Sequence, residues 1–135
     1  MNPLEKKEKL ACLKSFAESL GFDGFGVAFP QLGKAEERFE KGLDAGYDGE
    51  MSYIRRGEEK RKNPDLVLEG VKSILCFSTN YYTVEKDMSY VEDRDTADTS
   101  VYALNKDYHD TITPRLRQME EKIQAKFEGC RTRIY

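Results

Sequence analysis

The stretch "SVYALNKDYHD", residues 100–110, contains the only histidine of the chain, His109, beside aspartate, tyrosine and lysine side chains. A histidine near a helix N-terminus can act as a general acid or base, because the positive end of the helix dipole favours the neutral ring. The structural alternative is that the carboxylate of Asp107 caps a helix and His109 is an ordinary first-turn side chain. The residue types by themselves favour the structural interpretation.

A metal site is not expected in the chain. One histidine cannot form a metal centre alone, and no second histidine or cysteine lies at the helical spacing that would complete one. The cysteines, Cys12, Cys76 and Cys130, form no CxxC pair and no iron-sulfur run. Their odd number leaves no closed disulfide framework, which favours reduced thiols in a cytoplasmic protein.

Two further groups of side chains could bind a ligand. A basic cluster, which could hold phosphates or carboxylates, consists of Arg55, Arg56, Lys60, Arg61 and Lys62. Its structural alternative, a solvated surface interleaved with Glu58 and Glu59, is favoured by the pattern. A group of tyrosines suits a flat aromatic ligand or a domain interface, and consists of Tyr81, Tyr82, Tyr90, Tyr102 and Tyr108.

Composition limits the class of protein. The chain has 135 residues, enough for one compact domain over residues 1–135. Its formal charge of -3 provides no overall electrostatic attraction for nucleic acid. Apolar stretches approaching the ~18 residues of a membrane span are absent from the sequence, so neither secretion nor membrane insertion is expected.

The elements that position these side chains follow from hydrophobic spacing. We expect a helix over residues 3–20, a short buried strand within 22–30 and a second helix within 33–46. Residues 46–70 predict turns that enclose short helical pieces. Residues 71–82 are nearly continuous in apolar character at their centre and predict a strand covered on both faces.

The second half predicts a loop, a long helix and a closing strand. Residues 83–100 are acidic and polar and favour a loop or lid. A long helix from Asp107 ends at Gly129, and Pro114 requires either that the regular helix begins near residue 113 or that it is kinked there. Residues 130–135 alternate and predict a strand. The fold class is therefore mixed α/β, a single compact domain with a small sheet flanked by helices.

Three segments, in this order and at these separations, resemble the N-terminal region of the epoxyqueuosine reductases: "GYDGEMSYIRR", "KRKNPDLVLEGVKSILCFSTNYY" and "YALNKDYHDTITPRLRQMEEKI". The resemblance implies a cobalamin-dependent, iron-sulfur oxidoreductase of queuosine biosynthesis that reduces epoxyqueuosine to queuosine in tRNA. It covers essentially the whole chain and implies an N-terminal cobalamin-binding domain of a longer protein.

The resemblance alone assigns roles to specific residues. Arg61, Ser100 and Tyr102 correspond to cobalamin contacts. A corrinoid carries amide side chains and a phosphate-bearing tail, which can accept hydrogen bonds from an arginine. It also has a broad face on which tyrosines can pack. The trio Asp107, Tyr108 and His109 would form a pocket wall, with His109 supporting that wall or facing the substrate.

The chain departs from the family pattern in two ways. The proton-donating aspartate of the family would fall just after Tyr135, and the region that binds two [4Fe-4S] clusters has no counterpart here. We therefore expect the chain to be part of a longer enzyme, to depend on the remainder of that polypeptide and to be inactive alone. Neither a catalytic residue nor a metal ligand is assigned within it.

Two other interpretations stay open. One is a stand-alone interaction module without a cofactor, which uses its tyrosine and arginine surface to bind a protein or an RNA loop. The other is a corrinoid-dependent reductase that acts on another substrate.

Overall fold

The computed structural model describes residues 2–31, 33–82, 95, 100, 103 and 106–135. Helices and strands alternate along the described residues, and a 3₁₀ turn at Pro64–Leu66 precedes the second strand. The elements are α1 (Pro3–Ser19), β1 (Gly24–Ala28), α2 (Lys34–Asp44), α3 (Ser52–Arg56), α4 (Glu58–Lys62), β2 (Ile74–Ser78) and α5 (Tyr108–Lys126).

The mixed α/β class predicted from the sequence is confirmed, with helices and a two-stranded antiparallel sheet. By its internal contacts the chain divides into two units. The first unit consists of residues 1–25, 77–130 and 134, and the second of residues 26–76, 131–133 and 135. That residues 1–135 behave as one domain stays a prediction.

The first unit is built on α1 and α5, which pack against each other. The side chain of Asn2 caps α1 by accepting a hydrogen bond from the Leu4 amide at 3.1 Å, and Pro3 occupies the first turn, where its missing N–H is not needed. The buried side chains of this unit are Ala17, Phe22, Met119 and Ile123. These four side chains form the main hydrophobic core among the described residues.

Helix α5 begins earlier than residue 113, where the regular helix would begin under one of the two alternatives for Pro114. It starts at Tyr108, so Pro114 lies inside the helix. Proline cannot donate to the carbonyl four residues before it. That carbonyl belongs to Asp110, and next to it Arg115 Nε donates to the carbonyl of Thr111 at 3.1 Å.

The two strands are less covered than predicted. In β1, Gly26, Val27 and Ala28 are exposed, so the expectation of a buried strand is wrong. In β2, Cys76 and Ser78 are exposed, so the expectation of cover on both faces is also wrong. The reason is that the described residues form a sheet of only two strands, in which each strand has one neighbour.

The strand predicted for residues 130–135 is not formed. Alternation of residue types makes a strand only when a neighbouring strand supplies hydrogen-bond partners. The described sheet gives residues 130–135 no such neighbour, and the side chain of Arg131 instead donates to the backbone carbonyl of Glu69 at 2.6 Å.

The second unit has a small buried interior. Leu43, on the inner face of α2, is 5% exposed, and the carboxylate-bearing Asp48 is 6% exposed. The short helices predicted for residues 46–70 are confirmed as α3, α4 and the 3₁₀ turn. Within the described part of the chain, none of the helices has the length and apolar character that crossing a membrane requires.

Candidate functional site

Arg61 lies in the last turn of α4, in the second unit, and is half-buried. Its Nη1 donates a hydrogen bond to the backbone carbonyl of Ile54, in α3, at 2.9 Å. The guanidinium therefore folds back over the junction between α3 and α4, where Gly57 leaves room for it. A charged side chain that could otherwise sample many rotamers is held in one place by a backbone acceptor.

Two other members of the basic cluster are neutralised by carboxylates. Arg55 grips Asp48 through two hydrogen bonds, from Nε to Oδ2 at 2.6 Å and from Nη2 to Oδ1 at 2.8 Å. The same Nη2 also donates to the carbonyl of Leu43 at 2.6 Å. We call Asp48, Arg55 and the Leu43 carbonyl the clamp. It closes the "GYDGEM" turn onto the end of α2, and a buried aspartate is tolerated because it is paired.

Lys62 is the second neutralised cation. Its ammonium lies 2.5 Å from Glu40 and 2.7 Å from Glu58. The hydrogen bonds that Lys62 donates to Glu40 and then to Glu58 raise the pKa of Lys62 well above its ordinary value. The basic cluster is therefore neither a uniform anion site nor a plain solvated surface, because several of its cations have structural partners.

Asp107, Tyr108 and His109 meet at the start of α5, in the first unit. Asp107 Oδ1 accepts from the backbone amide of His109 at 2.8 Å and lies 2.7 Å from its ring Nδ1. The cap predicted for Asp107 is confirmed. These hydrogen bonds, the backbone one first, lower the pKa of the Asp107 carboxyl.

The cap also orients the imidazole of His109. In the tautomer whose Nδ1 donates to the Asp107 carboxylate, Nε2 is left as a hydrogen-bond acceptor. The ring lies against Tyr108, with centroids 4.0 Å apart, and the His109 side chain is 66% exposed. The trio therefore presents one oriented, accessible imidazole and one exposed tyrosine.

The other two predicted cofactor contacts are less defined. Ser100, in the first unit, is exposed, and its backbone carbonyl accepts from the amide of Ala103 at 2.8 Å. Tyr102 lies outside the described residues, as does Tyr90. Arg61 belongs to the second unit and the trio of Asp107, Tyr108 and His109 to the first.

Sequence reasoning missed the network at the end of β2. Arg115 Nη1 donates to the carbonyl of Gly21 at 2.9 Å, and both terminal nitrogens of Arg115 lie 3.4 Å from the hydroxyl of Thr79. Asp23 accepts from the amide of Asn80 at 2.7 Å. The network fixes the direction in which the chain leaves β2, immediately before the exposed Tyr81.

The clamp was missed as well. The "GYDGEM" turn and Arg55 both stand out in the sequence, but the seven-residue separation of Asp48 and Arg55 matches no helical or strand spacing. Only the turn at residues 46–49 brings the two side chains together. Across the described part of the chain, no three histidine, cysteine, aspartate or glutamate side chains are grouped as metal ligands.

The second unit also contains a cavity of about 530 Å³ at the start of α2. Its polar lining consists of Gln31, Glu36, Lys62, Asn63 and Asp65. Because Lys62 is already held by two glutamates, the cavity lacks an uncommitted cation at that wall.

Comparison with known proteins gives consistent results. The family profile described as "Epoxyqueuosine reductase QueG, DUF1730" matches residues 61–135. A curated epoxyqueuosine reductase of Pseudomonas aeruginosa is 32% identical over 127 residues, 93% of this chain and 35% of that enzyme. That of Gloeobacter violaceus is 35% identical over 127 residues, 93% of this chain and 38% of its own length.

A third relative, the epoxyqueuosine reductase of Cyclobacterium marinum, is 28% identical over 136 residues, 100% of this chain and 42% of that enzyme. The chain thus spans between 35% and 42% of the length of these three relatives. No solved structure matches the chain significantly.

Proposed function

The chain belongs to the epoxyqueuosine reductase QueG family, and we propose that it forms part of an enzyme that reduces epoxyqueuosine to queuosine in tRNA. The observation that carries the proposal is the family match over residues 61–135, which includes Arg61, Ser100, Tyr102 and the trio at the start of α5. The alignments to curated reductases over 93% of the chain support it. A tRNA substrate implies a cytoplasmic reaction.

The proposed cofactor is cobalamin, held in part by Arg61, Ser100 and Tyr102. Arg61 fits this role, because one nitrogen of its guanidinium is fixed on the Ile54 carbonyl and the guanidinium has further donors for a phosphate or an amide. Bound cobalamin would supply the reducing chemistry that removes the epoxide oxygen. The part of this chain is to bind and orient the cofactor.

The trio at the start of α5 is proposed to form a pocket wall. Asp107 holds the ring of His109 at 2.7 Å, and Tyr108 lies against that ring. An imidazole that is fixed through one nitrogen can accept a hydrogen bond from a ligand through the other. His109 therefore supports the wall or faces the substrate, without a catalytic role being assigned to it.

The chain is proposed to be the N-terminal part of a longer reductase and to need the rest of that polypeptide. Two [4Fe-4S] clusters in the remainder would deliver electrons, since the three cysteines of this chain do not have the spacing of a cluster site. Under this proposal residues 1–135 alone do not turn over. The length of the relatives supports it, because the chain corresponds to 35% and 38% of two of them.

A corrinoid titration tests the cofactor proposal. Cob(II)alamin is added to the complete polypeptide that contains this chain, and the corrinoid absorption spectrum is followed. We expect a saturable change that Arg61→Ala weakens about 10-fold or more, because a charge-assisted hydrogen bond contributes about 1.5–3 kcal/mol. Arg56→Ala is the matched control, since Arg56 is an exposed arginine in the neighbouring helix α3.

Two results would contradict the proposal. An unchanged corrinoid spectrum would exclude cobalamin binding by this polypeptide. Salt-dependent binding of a tRNA anticodon stem-loop without any corrinoid effect would favour the RNA-binding module instead.

A further inference from the structure

We infer that Gly57 is a positioning residue for Arg61: it leaves the space in which the guanidinium lies and so sets the direction of its remaining donors. The inference rests on the proposed function for the identity of the ligand, and on the geometry of α3 and α4 for the arrangement itself. Residue 57 lies between the two helices, as the C-cap of α3 and the N-cap of α4.

Space, and not backbone conformation, requires glycine at this position. The backbone of Gly57 has φ -97° and ψ 4°, values that other residues also adopt. A Cβ at residue 57, however, would overlap Nη1 of Arg61 and would lie 3.1 Å from Cζ of the same side chain. The guanidinium thus occupies the volume that any larger residue would need.

The overlap would be relieved by movement of Arg61. The atoms in the way are the far end of a flexible side chain, and the nearest backbone atom, the Tyr53 carbonyl oxygen, is at an ordinary 3.5 Å. Alanine at residue 57 should therefore displace the guanidinium while α3 and α4 are kept. The displacement would break the hydrogen bond from Nη1 to the Ile54 carbonyl.

The consequence for binding follows from the shape of a guanidinium. With Nη1 on the Ile54 carbonyl, Nε and Nη2 form a second edge with two parallel N–H donors. Such an edge matches two oxygens of a phosphate in a bidentate grip. Of the groups on cobalamin, the phosphate of the nucleotide tail is the one that fits this edge.

The test compares two glycine variants. Gly57→Ala and Gly42→Ala both place a methyl group in the second unit, but a Cβ at residue 42 meets only a Tyr47 ring atom at 3.9 Å. Dissociation constants for cob(II)alamin and for cobinamide, which lacks the phosphate, are measured by absorption with the complete polypeptide. We expect Gly57→Ala to weaken cob(II)alamin binding about 10-fold, to leave cobinamide binding unchanged, and Gly42→Ala to change neither.

Two further measurements separate positioning from a folding defect. The double variant Gly57→Ala/Arg61→Ala should bind no more weakly than Arg61→Ala, because the methyl group acts only through Arg61. In the apo polypeptide, the NMR signal of Arg61 Nε–H should shift in Gly57→Ala and stay in place in Gly42→Ala.

The outcomes distinguish the inference from the proposed function. Normal cob(II)alamin binding by Gly57→Ala, with weakened binding by Arg61→Ala, would overturn the positioning role and leave the proposed function intact. Equal loss of cobinamide binding would overturn the phosphate assignment. If the unaltered polypeptide binds no corrinoid, the proposed function and the ligand fail together, while the Arg61 signal still decides the geometric part.

Discussion

In the first unit, α1 and α5 pack through buried apolar side chains, with Met119 only 2% exposed. In the second unit, the buried positions are Leu43 and the carboxylate of Asp48, and the hydrogen bonds of Arg55 hold α2 and the following turn together. Apolar packing is not directional, whereas hydrogen bonds to a guanidinium fix angles as well as distances. In the unit with the smaller apolar interior, directed hydrogen bonds of Arg55 thus hold the chain together, whereas in the first unit the oriented Arg115 adds to an apolar core.

This difference bears on the proposed site. In the second unit, which also contains the clamp, Arg61 is oriented by a backbone carbonyl and by the space at Gly57. The first unit contributes the capped start of α5, where Asp107 orients His109. In both units a side chain of the proposed site is fixed by a local polar contact, and among the described residues the first unit has the larger set of buried apolar side chains.

The largest effect is expected from truncation of the apolar core. Met119→Ala should lower the free energy of unfolding by about 2–5 kcal/mol, because it removes buried contacts and leaves a cavity. The expected change is confined to the first unit, so hydrogen exchange should accelerate in α1 and α5. Urea denaturation and hydrogen exchange measure the two effects.

Leu4→Ala is the control for this experiment. Leu4 is in α1 but is 63% exposed, so its truncation should change stability by less than about 0.5 kcal/mol. Equal destabilisation by the two variants would contradict the assignment of the core to the face that carries Met119.

A smaller effect is expected from the clamp. Asp48→Asn removes the charge that Arg55 binds and should destabilise the second unit by about 1.5–3 kcal/mol, the range for hydrogen bonds to charged groups. The side chain of Arg55 is 51% exposed and can return to water, which limits the loss. Faster hydrogen exchange in α3, with α1 unchanged, is the expected result.

The exposed aspartate Asp44 provides the comparison, since Asp44→Asn removes the same charge from the end of α2. If Asp44→Asn and Asp48→Asn accelerate exchange in α3 equally, the clamp does not stabilise this unit in the way described.

The smallest effect is expected at the cap of α5. The pKa of Asp107 is lowered from the ordinary 3.8, so the cap contributes its full stability above that value and loses it as the pH falls through the depressed pKa. An NMR titration of the carboxyl carbon should therefore give a midpoint below 3.8, and the His109 amide should lose protection over the same range.

Asp107→Asn separates charge from capping. Asparagine can still accept the hydrogen bond from the His109 amide, so protection should persist but become independent of acidic pH. A pH-dependent loss of protection in this variant would assign the titration to another group.

Periodicity predicted the elements that are long or strongly bounded. The apolar spacing in residues 3–20 predicted α1, and the apolar stripe after Asp107 predicted α5. Gly46 indicated where the second predicted helix ends. The cap by Asp107 was also predicted, because aspartate before a helix has a local and well-defined partner in the backbone.

The features that were missed depend on contacts that the spacing of residue types does not define. The alternation in residues 130–135 carries no information on whether a neighbouring strand exists, and the structure gives this segment none among the described residues. The clamp depends on the turn between Asp48 and Arg55, and the role of Gly57 depends on where Arg61 folds back. Rules based on residue spacing do not describe how the backbone turns or where a side chain folds back, so the clamp and the role of Gly57 could not be predicted.

Product analysis tests the central claim most directly. The complete polypeptide is incubated with cobalamin, a reductant and tRNA that carries epoxyqueuosine, and the nucleosides are analysed by mass spectrometry. We expect epoxyqueuosine to lose one oxygen atom and become queuosine, at a rate that Arg61→Ala lowers at limiting cobalamin. Unchanged epoxyqueuosine, with the cofactor and reductant present and the protein folded, would contradict the account.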